Sequence, residues 1–131
     1  MAGLLGKKIG ITNVYDEHGE AVPGTVIEAG PCHIAQVRTK ARDGYEALQL
    51  GFGERKESLL KKPLKGHLAK AGVKSVRVLR EFKGFDGSAY KPGDQIKVDA
   101  IFAQGDFVRV SGISKGKGFQ GVVKRHHFGG G

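Results

Sequence analysis

Between Lys7 and Phe52 the apolar positions alternate with polar ones in short runs, and each run is closed by turn residues. Lys7 to Tyr15, Ala21 to Glu28, Cys32 to Thr39 and Tyr45 to Phe52 read as four strands, because side chains two apart share a face of a pleated chain. In the fourth run Tyr45, Ala47, Gln49 and Gly51 face one way and Glu46, Leu48, Leu50 and Phe52 the other. Asp16-Glu-His-Gly19 and Arg42-Asp-Gly44 suit hairpin connections, where glycine takes the positive φ of a tight turn. The period then changes. Pro63 suits the first turn of a helix running to about Ala71, where its missing N–H costs nothing, and Gly72 suits the C-terminal cap. Leu64, Leu68 and Ala71 form its narrow apolar stripe, with Lys62, Lys65 and Lys70 outside it. Val76 to Phe82 alternates again as a strand, Tyr90 to Asp94 is a turn with Pro92 presetting φ, and Gln95 to Val98 and Asp106 to Ser111 are two further strand candidates.

Several short strands with one helical insertion predict a mainly β chain shaped as a small barrel. Its 131 residues fit one domain, with a packed core possible without cross-links. Four segments follow: residues 1–54 as the first part of the barrel, 55–75 as a basic helical insertion, 76–111 as further barrel strands, and 112–131 as a glycine- and lysine-rich extended arm.

Charge sharpens this picture. The chain carries 22 Lys and Arg against 13 Asp and Glu, a formal +9, and this excess points to an anionic partner. It is not spread evenly. Between Arg55 and Arg80 there are nine basic residues and one acid, Glu57, and the last twenty residues hold Lys115, Lys117, Lys124 and Arg125 and no acid. In that arm glycine lets the backbone approach a partner closely, the cations match phosphates, and Phe119 and Phe128 offer faces for base stacking. The partner expected is a nucleic acid, and the arm is expected to order only when that partner is present.

Other chemistry is weaker. Gly116-Lys-Gly-Phe-Gln-Gly121 matches the dinucleotide-loop spacing, but neither a βαβ unit nor an acid about 20 residues on accompanies it, and Lys117 is followed by Gly118 rather than by the Ser or Thr of a P-loop. His126 and His127 are adjacent with no nearby carboxylate or thiol in sequence, and so read as donors and stacking surfaces rather than metal ligands. Cys32 is the sole cysteine, a small residue at a strand start that suits a reducing compartment. The amino terminus turns to charge at Lys7 and Lys8, too early for a signal peptide, and a cytoplasmic protein is expected. Neither an enzyme, a cofactor, a metal, a small-molecule substrate nor a membrane partner is expected. The rival readings are a nucleotide-dependent enzyme using the glycine loop and a general nucleic-acid-binding module.

Five stretches carry a family resemblance: Leu5 to Thr12, Pro23 to Pro31, Asp43 to Tyr45, Lys62 to His67 with Lys70 to Val73, and Ser114 to Gly121 followed by Lys124-Arg125. Together they resemble the ribosomal protein L-three family of the bacterial large subunit, in order and over essentially the whole chain. The resemblance implies a translation-protein type Greek-key barrel, incomplete in this chain, with relatives continuing past Gly129 to Gly131 through the rest of the extension and the closing strands. This chain accordingly reads as an N-terminal portion. The resemblance also implies direct binding to 23S rRNA, a part in early subunit assembly, an arm that leads toward the peptidyl transferase centre, and neighbours from the L-fourteen and L-nineteen families. Carried over residue by residue, the rRNA-facing candidates are Lys7, Lys8, Lys61, Lys62, Lys65, His67, Lys70, Ser114, Lys115, Lys117, Phe119, Lys124, Arg125, His126, His127 and Phe128.

Overall fold

A computed structural model describes residues 2–130; Met1 and Gly131, the outer ends of the first and last expected segments, lie outside the described residues. Strands β1 (Gly6–Tyr15) and β2 (Ala21–Ala29) form an antiparallel hairpin. At its turn the Asp16 carboxylate accepts the backbone N–H groups of His18 and Glu20, and Gly19 takes φ +79°, as the turn chemistry predicted. The second sheet joins β3 (Cys32–Arg38), β4 (Ala47–Glu54), β5 (Val76–Phe82) and β6 (Gln95–Ile96) in the spatial order β5-β4-β3-β6, all antiparallel. Neither sheet closes on itself, so the mainly β class holds and the barrel is incomplete.

The four-stranded sheet is covered on both faces. Cys32, Ile34, Leu48, Leu50 and Ile96 form one buried cluster, against which Leu4, Leu5, Phe82, Phe85, Tyr90 and Ile101 pack. On the other face Ala35 and Val76 meet Leu60, Leu68, Ala71 and Val73. A bulge in β3 makes this possible. The register shifts between Ile34 and Gln36, so Ile34 pairs with Leu50 and Val37 with Leu48, which brings two apolar residues three apart to the same core. Strict alternation would have turned Val37 away.

Helix α2 (Lys62–Lys70) supplies the second cluster, α1 (Lys40–Asp43) being a single turn between β3 and β4. Pro63 lies in the first turn of α2 and Gly72 follows its end at φ +65°. There the Val73 N–H reaches the Leu68 carbonyl at 3.1 Å and the Gly72 N–H reaches Ala69 at 3.0 Å, the paired bonds of a Schellman motif, with Leu68 and Val73 packed together.

Three expectations are corrected. Arg42 to Gly44 is not a hairpin turn but the end of α1, with Gly44 at φ +81°. The strand expected over Gln95 to Val98 ends at Ile96, and Val98–Ala100 turns into a 3-10 helix. Asp106 to Ser111 forms no strand: its residues are exposed and join no sheet among the described residues, and alternation without a partner strand yields no ladder.

Candidate nucleic-acid interface

The expected contact residues fall in three places. Lys7 and Lys8 are exposed on β1, opposite Glu28 and Ile27 of β2. Lys61 precedes α2, and Lys62 and Lys70 stand exposed on it, while Lys65 is partly covered and lies 3.9 Å from Glu57. Because α2 buries Leu68 and leans on Leu64, its cations are left on the sides turned from the sheet. His67 differs from these lysines. Its Nε2 sits 2.5 Å from the Gln49 Oε1 on β4, so the ring is engaged within the protein.

The third place is the arm. From Ala103 to Gly130 every residue is exposed except Gln120, which is partly covered. Phe119 is 91% exposed, an arrangement that solvent disfavours and that a partner surface would relieve. The arm nevertheless has local order that its composition did not announce. Gln120 folds back to donate to the Lys117 carbonyl at 2.5 Å, and Gly118 takes φ +72°. After Gly121 comes α3 (Val122–His126), whose last turn holds Lys124, Arg125 and His126, where cations suit the negative end of the helix dipole. The Arg125 guanidinium lies 4.4 Å from the centroid of the Phe119 ring, and the His126 and Phe128 rings meet edge to face at 6.4 Å. Lys115, Lys117 and Ser114 precede α3 and are exposed, as is His127, which takes φ +56° just past its end. Stacked guanidinium and aromatic groups on a glycine-rich backbone can contact both phosphates and unstacked bases.

The structure thus brings Arg125 to Phe119 and His126 to Phe128. It also gathers a group that sequence reading did not single out. Lys7 shares an open groove between the hairpin and the β4–β5 end of the larger sheet with His33, Lys74 and Arg77. Lys74 and Arg77 were counted in the basic excess, but only chain pairing could place them beside Lys7. Glu28 and Glu54 line the same groove, so its field is mixed and weaker for phosphate than that of the arm.

Other features bear on rival chemistry. The Gly116 to Gly121 loop follows no strand and leads into five residues of helix, which is not the strand–loop–helix context of a nucleotide site. Among the described residues no three His, Cys, Asp or Glu side chains gather as metal ligands, and no helix is long and apolar enough to cross a membrane. Cys32 is fully buried, its thiol 3.5 Å from the Leu5 carbonyl, and burial raises its pKa.

The ribosomal protein L3 family profile matches residues 54–130. The chain is also similar to the large ribosomal subunit protein uL3 of Carboxydothermus hydrogenoformans, with 57% identity over 126 residues that cover 96% of this chain and 60% of the relative. It is 55% identical to that of Heliobacterium modesticaldum over the same shares, and 56% identical to that of Desulfitobacterium hafniense over 95% of this chain and 58% of the relative. It therefore spans about 60% of the length of these curated relatives. With a profile match that runs from the end of β4 through the arm, and with more than half of the aligned positions identical in each relative, the chain belongs to the ribosomal protein L3 family.

Proposed function

We propose that this chain is a structural constituent of the large ribosomal subunit in the cytoplasm, that it binds 23S rRNA directly, and that it acts by architecture rather than by catalysis. The carrying observation is the arm, which has four Lys or Arg and no acid from Gly112 onward, lies clear of both apolar clusters, and holds Arg125 stacked on Phe119. The relatives' names, each a large ribosomal subunit protein, favour the same reading. In this mechanism the covered sheet sets position, and Lys61 just before α2 with Lys62, Lys65 and Lys70 on it hold helical rRNA by its phosphates. Residues Ser114 to Phe128, with their glycines, then enter gaps between RNA elements that a bulkier chain could not. Lys7 and Lys8 add charge at the hairpin. A part in early assembly, an arm directed toward the peptidyl transferase centre, and neighbours of the L-fourteen and L-nineteen families complete the proposal, with segments 1–54, 55–75, 76–111 and 112–131 as its working division.

The deciding experiment is binding to 23S rRNA across a salt series, with sedimentation of the chain alongside the large subunit at moderate and high salt. Replacing Lys115 and Lys117 by alanine should flatten the log–log salt slope by about 1.4 to 1.8 if both neutralise phosphates. An unchanged slope would place those lysines in solvent, and a chain that never sediments with the subunit would sink the reading.

A further inference from the structure

Helix α2 rests on the sheet through Leu64, Leu68 and the capping Ala71, and such apolar contacts do not by themselves fix how a helix rolls or slides. One polar tie crosses the same seam. Gln49 lies on the face of β4 away from Leu48 and Leu50, and its side chain stands between His67 of α2 and Glu81 of β5. The Glu81 carboxylate accepts from Arg38 Nε at 3.2 Å and from the Tyr45 hydroxyl at 2.7 Å, and Arg38 is held in turn by Asp43 at 2.6 Å. The Gln49 amide nitrogen is 3.5 Å from Glu81 Oε1, long for a hydrogen bond but close enough that an oxygen in its place would face the carboxylate lone pairs. The carboxylate therefore decides which way the amide points. Its oxygen is then left to His67, 2.5 Å away, and an oxygen can only accept.

We infer that Glu81, through Gln49, fixes the hydrogen of His67 on Nε2, and that His67 is a positioning residue which sets the seat of the basic helix on the sheet instead of contacting RNA itself. The inference rests on the rRNA reading for what α2 is positioned to do, but the hydrogen-bond relay stands on the protein alone. Its purpose follows from spacing. Leu64, His67 and Leu68 share one face at i, i+3 and i+4, so locking His67 leaves Lys61, Lys62 and Lys70 presented outward in a single orientation.

Two measurements test it. Nitrogen-15 NMR of the His67 ring in the unsubstituted chain, at alkaline pH, should show hydrogen on Nε2 and a bare Nδ1; the opposite tautomer overturns the relay whether or not RNA binds. In 23S rRNA binding, His67→Ala and Gln49→Leu should each weaken affinity by about 2- to 10-fold, the loss of one hydrogen bond. The double variant should be no weaker than either, the salt slope should be unchanged, and His67→Gln, which restores an N–H donor, should recover affinity. Additive losses, or a flatter slope for His67→Ala, would make His67 a direct RNA contact and overturn the positioning role. Failure of the unsubstituted chain to bind rRNA would instead remove the proposed function, with the ring tautomer still deciding the relay.

Discussion

At Gly51 the sequence reads only as a small residue on the face of β4 shared with Ala47 and Gln49. Its reason is tertiary. A Cβ there would lie 3.0 Å from Val76 Cγ2 and 3.3 Å from Leu79 Cδ2, so Gly51→Ala should overpack the seam beneath α2 and cost about 1–3 kcal/mol in urea unfolding. By contrast Gly72 was legible, because a glycine just past an apolar stripe marks a helix end before any coordinates exist. Asp43 shows how a turn residue acquires a second task. Its carboxylate binds Arg38 at 2.6 Å and accepts the Thr39 N–H, and the Arg38 hydrogen bond, stronger than the opposing effect of burial, lowers its pKa. A group whose folded value is depressed adds stability above its unfolded value and loses it as pH falls through the folded value. The chain should therefore lose stability below the ordinary carboxylate range, and Asp43→Asn should be less stable near neutral pH with a shallower acid slope in pH-dependent melting. Identical slopes would mean that the pair contributes nothing.

Among the elements, those with strong periodicity and turn chemistry were readable to within a residue or two. β1, β2, β3, β5 and α2 formed where the pattern put them, and β4 began at Ala47 instead of Tyr45 and extended to Glu54. Ends and exceptions depended on partners. Asp106 to Ser111 has a strand's alternation and, among the described residues, no strand bonded to it, whereas the two-residue β6 exists because Cys32 and His33 of β3 offer an edge to Ile96 and Gln95. Helix α2 gains its stability from the sheet more than from its own sequence, since nine residues are too few to be helical alone. Truncating its one fully buried anchor, Leu68→Ala, should cost about 2–5 kcal/mol and leave the arm's exposed residues unaffected. Urea unfolding would measure the first effect, and an unchanged salt slope for rRNA binding at the arm the second.

Over the whole molecule the two sheets differ in kind. The four-stranded sheet is buried on both faces, while the β1–β2 hairpin leaves Ile11 71% and Tyr15 71% exposed and, among the described residues, has no third strand along either edge. Exposed apolar strands with free edges pair readily with other chains. The chain in isolation should self-associate with rising concentration in sedimentation velocity, and β1–β2 amides should exchange with solvent faster than those of β3 and β4; equal protection would show that the hairpin is held as firmly as the covered sheet. Composition, strand and helix periods, turn glycines and the acid-free arm were determined by the sequence alone, because each depends on residues near one another along the chain. The strand order β5-β4-β3-β6, the bulge that turns Val37 into the core, the gathering of Lys7 with Lys74 and Arg77, and the relay from Glu81 to His67 were decided by tertiary structure. Each joins residues far apart in the chain, and no local pattern encodes which distant strand supplies the other half of a contact.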